Sequence, residues 1–178
     1  DLQRELFELQ PLLPQILSLF SALAAQHHVH ILSPSFPEYD STTQRFYNCA
    51  RLHTPTRQLA TVEKAQMTRF EAETWGISSG RDQPVLDTSV GVLGVAICYD
   101  SEFPVLVRKQ IEQGAELLLV PSCTDTLAGY HRVALSCRAR ALENQCYVVH
   151  SSTVGLLPGS LVLDENHGAA GIYGPVDR

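Results

Sequence analysis

In residues 15–25 the apolar positions fall at Ile16, Leu19, Phe20, Leu23 and Ala24, a spacing of i, i+3, i+4, i+7 and i+8 that puts all five on one helical face. Pro14 stands where a first helical turn tolerates proline. The pattern then shortens. Residues 29–32 predict a strand, closed by the breakers Ser33-Pro34-Ser35-Phe36-Pro37. Residues 45–53 and 58–63 are β-like with Thr54-Pro55-Thr56 between them, which predicts a hairpin whose second strand delivers Lys64. Beyond a Gly/Ser/Asp-rich loop at 76–82, residues 85–87 and 91–97 predict two more strands. The second, Gly-Val-Leu-Gly-Val-Ala-Ile, is apolar on both faces, as a central buried strand is, and ends at Cys98. A helix over 104–113, a strand over 116–120 closed by Pro121, a helix over 130–143 and a strand over 146–150 follow. After Ser151 the chain is rich in glycine, with one strand expected near Ile172. Strands alternating with helices predict an α/β domain, and the hairpin makes its sheet mixed.

Composition narrows the function classes. Of 178 residues, 13 are basic and 19 acidic, a net charge of 13 − 19 = −6, which argues against a nucleic-acid surface. With 44% apolar and 18% charged residues the chain can bury an ordinary core, and a single domain over 1–178 is expected. Glu, Lys, His or Pro break the longest apolar runs, so no membrane span and no signal peptide are expected. Cys49, Cys98, Cys123, Cys137 and Cys146 make an odd count without a CxxC pair. That speaks against a disulfide framework or a zinc ribbon, and predicts a reducing, cytoplasmic setting with no metal.

Among the cysteines, Cys98 sits at the end of an apolar strand and just before a helix, where α/β sheets present reactive groups and free backbone N–H groups can stabilise an oxyanion. The other four lie in or beside apolar runs and are expected in the core. Lys64 is one of two lysines, with Lys109 on a helix. Glu71 follows it by seven residues in Lys-Ala-Gln-Met-Thr-Arg-Phe-Glu. A papain-type pairing of Cys98 with His53, His131 or His150 is a further option, without a local signature around any of the three.

Four ordered stretches are similar to the nitrilase superfamily of carbon–nitrogen hydrolases over about residues 20–175. Gly91-Val-Leu-Gly-Val-Ala-Ile-Cys-Tyr-Asp-Ser-Glu-Phe-Pro104 resembles the family's nucleophile strand and turn, and residues 64–71 resemble its lysine motif. Gly114-Ala-Glu-Leu-Leu-Leu-Val-Pro-Ser122 resembles the strand after the nucleophile helix, and Arg138-Ala-Arg-Ala-Leu-Glu-Asn-Gln145 its Glu-Asn helix end. The resemblance implies an αββα sandwich of mixed sheets covered by helices. It implies Cys98 as nucleophile, Lys64 as stabiliser of the developing charge, Glu71 rather than Glu73 as the supporting glutamate, and the Tyr99 N–H in the oxyanion site. Ser122, Cys123 and Thr124 are expected along the substrate pocket. The reaction implied is hydrolysis of a small-molecule amide, or less readily a nitrile, through a cysteine thioester without any cofactor. Cys-Tyr-Asp after the strand resembles the amidase branches.

The family's first glutamate, its general base, stands in a Pro-Glu motif on a strand before the helix at 15–25, and neither Glu5 nor Glu8 has that setting. Ile172-Tyr-Gly-Pro175 resembles a strand after which the family's fold continues. Both ends of the fold are thus expected to be incomplete. The alternative expectation is a non-catalytic nitrilase-like module for binding or assembly. The resemblance also implies a homo-oligomer.

Overall fold

The computed structural model describes residues 2–160 and 163–176. Two compact units emerge, Asp1–Asp82 and Gln83–Arg178. Each is built on a five-stranded mixed sheet with helices, in keeping with the α/β class expected from the sequence.

The first unit comprises α1 (Leu2–Leu9), a 3-10 turn Gln10–Leu12, α2 (Leu13–His27), β1 (Ile31–Leu32), β2 (Phe36–Asp40), β3 (Arg45–His53), β4 (Leu59–Glu63), α3 (Arg69–Glu73) and β5 (Ile77–Ser78). The nearly fully buried β3 is its spine, antiparallel to β1, β2 and β4 and parallel to β5. The expected β3–β4 hairpin is present, from Cys49 opposite Glu63 to His53 opposite Leu59. Phe36 and Pro37, expected as breakers, instead open β2. Proline is tolerated there because, among the described residues, β2 pairs with β3 alone and its other edge needs no donor.

On α2, Ala24 is buried and Ile16 and Phe20 half-buried, but Leu19 is 56% exposed and leaves the predicted face. The periodicity admits two adjacent stripes, and contacts with β3 choose between them. Phe20 lies 5.8 Å from the His53 ring, and the Ser21 hydroxyl is 2.8 Å from His53 Nδ1. The Gln10 side chain clamps the preceding turn to β2, donating to the Pro37 carbonyl and accepting from the Tyr39 N–H. The exclusion of a membrane span also needs correcting. Residues 9–26 carry no Asp, Glu, Lys or Arg, so Leu2–His27 is long and apolar enough, by length and composition, to cross a bilayer.

The second unit comprises β6 (Leu86–Thr88), β7 (Gly91–Val95), a 3-10 turn Cys98–Glu102, α4 (Pro104–Glu112), β8 (Leu117–Ser122), α5 (Leu127–Asn144), β9 (Tyr147–Ser152), β10 (Gly155–Leu156), β11 (Glu165–Asn166) and β12 (Gly171–Tyr173). The sheet order is β12-β9-β8-β7-β6; the inner three strands are parallel, and both edges are antiparallel. The strand expected to close at Pro121 continues through it, with Pro121 opposite Ser151. Successive residues of β8 face β7 and β9 alternately, Leu119 accepting from Ala96 N and Ser122 from Thr153 N. The nitrogen of Pro121 therefore faces the β7 side, where β7 has already ended at Val95, and no ladder bond is lost.

Val107, Leu118, Val120, Val133, Cys137, Ala141, Cys146 and Val148 form the core between this sheet and its helices. Gly94 is required by close approach. A Cβ there would run into the amide oxygen of Gln110, which is fully buried and donates from Nε2 to the Val95 carbonyl at 2.8 Å. The result is a pair of strand–helix–strand crossovers that end β7, β8 and β9 at one edge of the sheet.

Candidate active site

In the first unit the end of β4 fixes Lys64. Its N–H donates to the Asn48 carbonyl at 2.8 Å, and its carbonyl accepts from Gly80 N at 2.7 Å. The side chain turns inward, and Nζ lies 2.7 Å from each oxygen of Glu71. Glu71 is itself held by local sequence. Thr68 caps α3 and accepts from the Glu71 N–H, while the Glu71 carboxylate accepts from the Thr68 N–H and hydroxyl, both at 2.8 Å. Asn48 Nδ2 on β3 donates to its other oxygen at 3.2 Å. Burial pushes the Glu71 carboxyl up, but the Lys64 charge, the Lys64 hydrogen bonds and those of Thr68 outweigh it and hold the group below the usual carboxylate range. Lys64 and Glu71 are therefore brought together as expected. Glu73 points outward and pairs with Arg69.

In the second unit Cys98 opens the 3-10 turn that follows β7. Its φ is +51°, in the left-handed region that residues with a Cβ seldom adopt. Neighbours enforce this. Asp100 is fully buried and its Oδ2 accepts from the Ile97 N–H at 3.1 Å, while the Ser101 hydroxyl donates to the Cys98 carbonyl at 2.7 Å. The thiol is partly exposed, with Sγ 3.7 Å from the Cys123 carbonyl oxygen. Tyr99 meets Phe103 edge-on at 5.0 Å, and its ring lies beneath the Arg132 guanidinium, which also binds Glu102 at 2.7 Å.

The three residues expected along the pocket fare differently. Ser122 is buried, its hydroxyl 2.8 Å from His150 Nε2 and 3.0 Å from Ser152 Oγ. Thr124 is buried and donates to the His167 carbonyl at 2.8 Å. Cys123 alone of the three is exposed, its thiol 3.0 Å from Asn166 Oδ1. The histidines proposed as thiol partners bond elsewhere, His53 to Ser21 and His150 to Ser122 and Ser152, and His131 is exposed.

Sequence reasoning missed the His150 cluster. The ring is fully buried, stacks on Tyr130 at 5.9 Å, and leaves Nδ1 without a hydrogen-bond partner among the described residues, and burial lowers its pKa. The available signal was the His-x-Ser alternation at 150 and 152, which puts both side chains on one face of β9. A cleft of about 500 Å³ between α4 and α5, lined by Pro104, Arg108 and Asn144 among others, includes none of the candidate site residues. No cluster of three metal-ligating side chains occurs among the described residues.

Cys98 is thus held at φ +51° just past the carboxyl end of a parallel strand, and Lys64 is held by the capping-box glutamate Glu71. The profile of the carbon–nitrogen hydrolases matches residues 4–173, and the chain belongs to that family, the nitrilase superfamily. It is 39% identical over 162 residues to a probable hydrolase, YhcX, of Bacillus subtilis, covering 90% of this chain and 31% of that protein. It is 30% identical over 158 residues to the deaminated glutathione amidase of Mus musculus, covering 82% of this chain and 49% of that one. The structure superposes with a TM-score of 0.74, at 25% identity, on a mutant of an amidase from Nesterenkonia sp. AN1 that carries acrylamide added at its active-site cysteine, covering 91% of this chain and 61% of that chain. The chain thus spans between about a third and a half of the two curated relatives.

Proposed function

We propose that the protein hydrolyses a small amide to a carboxylate plus ammonia or an amine, through a thioester on Cys98. The observation that carries this reading is the conformation of Cys98. A non-glycine residue at φ +51°, pinned by a buried aspartate at the end of β7, holds a partly exposed thiol at the edge where three parallel strands end. The thiolate attacks the amide carbon and the C=O electrons move onto oxygen. By resemblance to the family, Lys64 and the Tyr99 N–H stabilise that oxygen. Collapse of the intermediate expels the amine, which takes up the proton the thiol gave up, and water then cleaves the thioester to the carboxylic acid and the free thiol. Amidase relatives and the Cys-Tyr-Asp sequence favour an amide over a nitrile.

The test is ammonia release from a panel of small primary amides by the full-length protein, with mass spectrometry of the peptide that contains Cys98. Cys98→Ala should lower turnover by at least about a thousandfold, as nucleophile removal does elsewhere, with an unchanged circular-dichroism spectrum. An acyl adduct should build up on the wild-type peptide alone. Turnover retained by Cys98→Ala would overturn the reading.

A further inference from the structure

Two cysteines meet at the edge of the second sheet. The parallel register of β7 and β8 sets Leu93 against Leu117 and Val95 against Leu119. Past that last pair the chain leaves β7 into the turn that opens with Cys98, and β8 runs on to Ser122, just before Cys123. Cys98 Sγ lies 3.7 Å from the carbonyl oxygen of Cys123 itself. Disulfides bridge Cα separations of about 4.4–6.8 Å, the scale of residues in direct contact.

The other thiols are poor partners for Cys98. Cys137, Cys146 and Cys49 are buried, and burial pushes the thiols of Cys137 and Cys49 up to about 12, so they stay protonated and inaccessible. Cys123 is the exposed cysteine, its thiol hydrogen-bonded to Asn166 on the short β11.

We propose that Cys98 and Cys123 are a peroxide-sensitive pair that closes into a reversible disulfide and switches the nucleophile off. The Cys98 thiolate attacks a peroxide oxygen and the O–O bond breaks, giving the Cys98 sulfenic acid and, after protonation, water. The Cys123 thiolate then attacks the Cys98 sulfur, the S–O bond breaks, and hydroxide leaves and takes a proton to become a second water. Two thiols are oxidised to one disulfide, and one peroxide is reduced. The disulfide also shields Cys98 from irreversible oxidation to the sulfinic acid. The proposal rests on the reading of Cys98 as a reactive thiol.

The experiment is peptide mapping of the full-length protein treated with hydrogen peroxide, then alkylated with iodoacetamide, before and after dithiothreitol. Wild type should yield a peptide pair linked through Cys98 and Cys123, with amide turnover falling at least about tenfold and returning on reduction. In Cys123→Ser the link should be absent, and Cys98 should carry sulfinic or sulfonic acid that dithiothreitol does not reverse. Irreversibly oxidised Cys98 in the wild type, with Cys123 still alkylated, or a link from Cys98 to Cys137, would overturn the switch while leaving the hydrolase reading intact. Failure of iodoacetamide to modify Cys98 in untreated protein would overturn the reactive-thiol reading and the switch with it.

Discussion

The two sheets hold their candidate chemistry in opposite ways. In the first, Lys64 and Glu71 are buried, and the carboxylate accepts from Lys64, Asn48 and both donors of Thr68. In the second, Cys98 sits in a disfavoured backbone conformation, and the buried His150 ring on β9 has, among the described residues, no partner for Nδ1. A group whose task is to hold a charge in low dielectric has to be saturated, because every missing hydrogen bond there costs free energy. A group whose task is to form and break a bond gains instead from strain, which leaves it near the geometry of attack. The contrast is thus between a station that must not change and one that must.

The sharpest way to break the contrast is to take the charge from the saturated side. Glu71→Gln keeps the shape but leaves Lys64 buried against a neutral amide, and breaking such a pair costs about 3–5 kcal/mol. The urea midpoint should drop accordingly, and amide turnover should fall with it. Acid provides the second reading. The Glu71 carboxyl lies below its ordinary 4.5, so it stabilises the fold above that value, and this contribution is lost as pH falls through the lowered pKa. The wild type should therefore lose stability below about pH 4.5, and the variant should lose less over the same range. Equal stability of the two at pH 7 would mean that the pair holds nothing.

How much of this was legible depended on whether the signal was local. The Thr54-Pro55-Thr56 hairpin and the alternation of strand and helix after Gly91 were readable because turn chemistry and periodicity act within a few residues. So was the Lys64–Glu71 pair, though through resemblance to a family; in the structure, the capping-box spacing of Thr68 and Glu71 positions the carboxylate. What failed was set by distant partners. β2 forms despite Pro37 because it lies on an edge, β8 runs through Pro121 because β7 has already left, and Leu19 points outward because His53 fixes the rotation of α2. The uncharged run at 9–26 is different, since nothing beyond the sequence is needed to see it. Ser122 and Thr124 look alike in the sequence and turn into hydrogen bonds with His150 and the His167 carbonyl, which only the fold supplies.

His150 sharpens the contrast by a middle-sized effect. Replacing it by Gln removes the stack on Tyr130 and reshapes the bonds to Ser122 and Ser152, at a cost of about 1–2 kcal/mol at pH 8. Burial lowers the folded pKa of His150, so in the wild type the neutral ring stabilises the fold above the ordinary value of 6.5, and that contribution is lost as pH falls through the lowered pKa. Gln does not titrate, so the gap between wild type and variant should narrow between pH 8 and pH 5.5, read from urea midpoints. His53, whose pKa burial and Arg51 also lower, is present in both proteins and cancels in the difference. A gap that stays constant with pH would mean that the ring is not held neutral.

The smallest effect is the control that gives the first its meaning. Glu73 lies two residues beyond Glu71 on the same short α3, yet its side chain is 63% exposed against 10%, and its partner Arg69 is 87% exposed. Water screens the Arg69–Glu73 pair, and surface pairs at i, i+4 contribute about 0.3–0.5 kcal/mol. Glu73→Gln should thus change the unfolding free energy from urea titration by no more than about 0.5 kcal/mol and leave the KM for amides unchanged. If it instead approached the cost of Glu71→Gln, charge on α3 in general, and not the enclosure of one carboxylate by Lys64, Asn48 and Thr68, would be what the first unit needs.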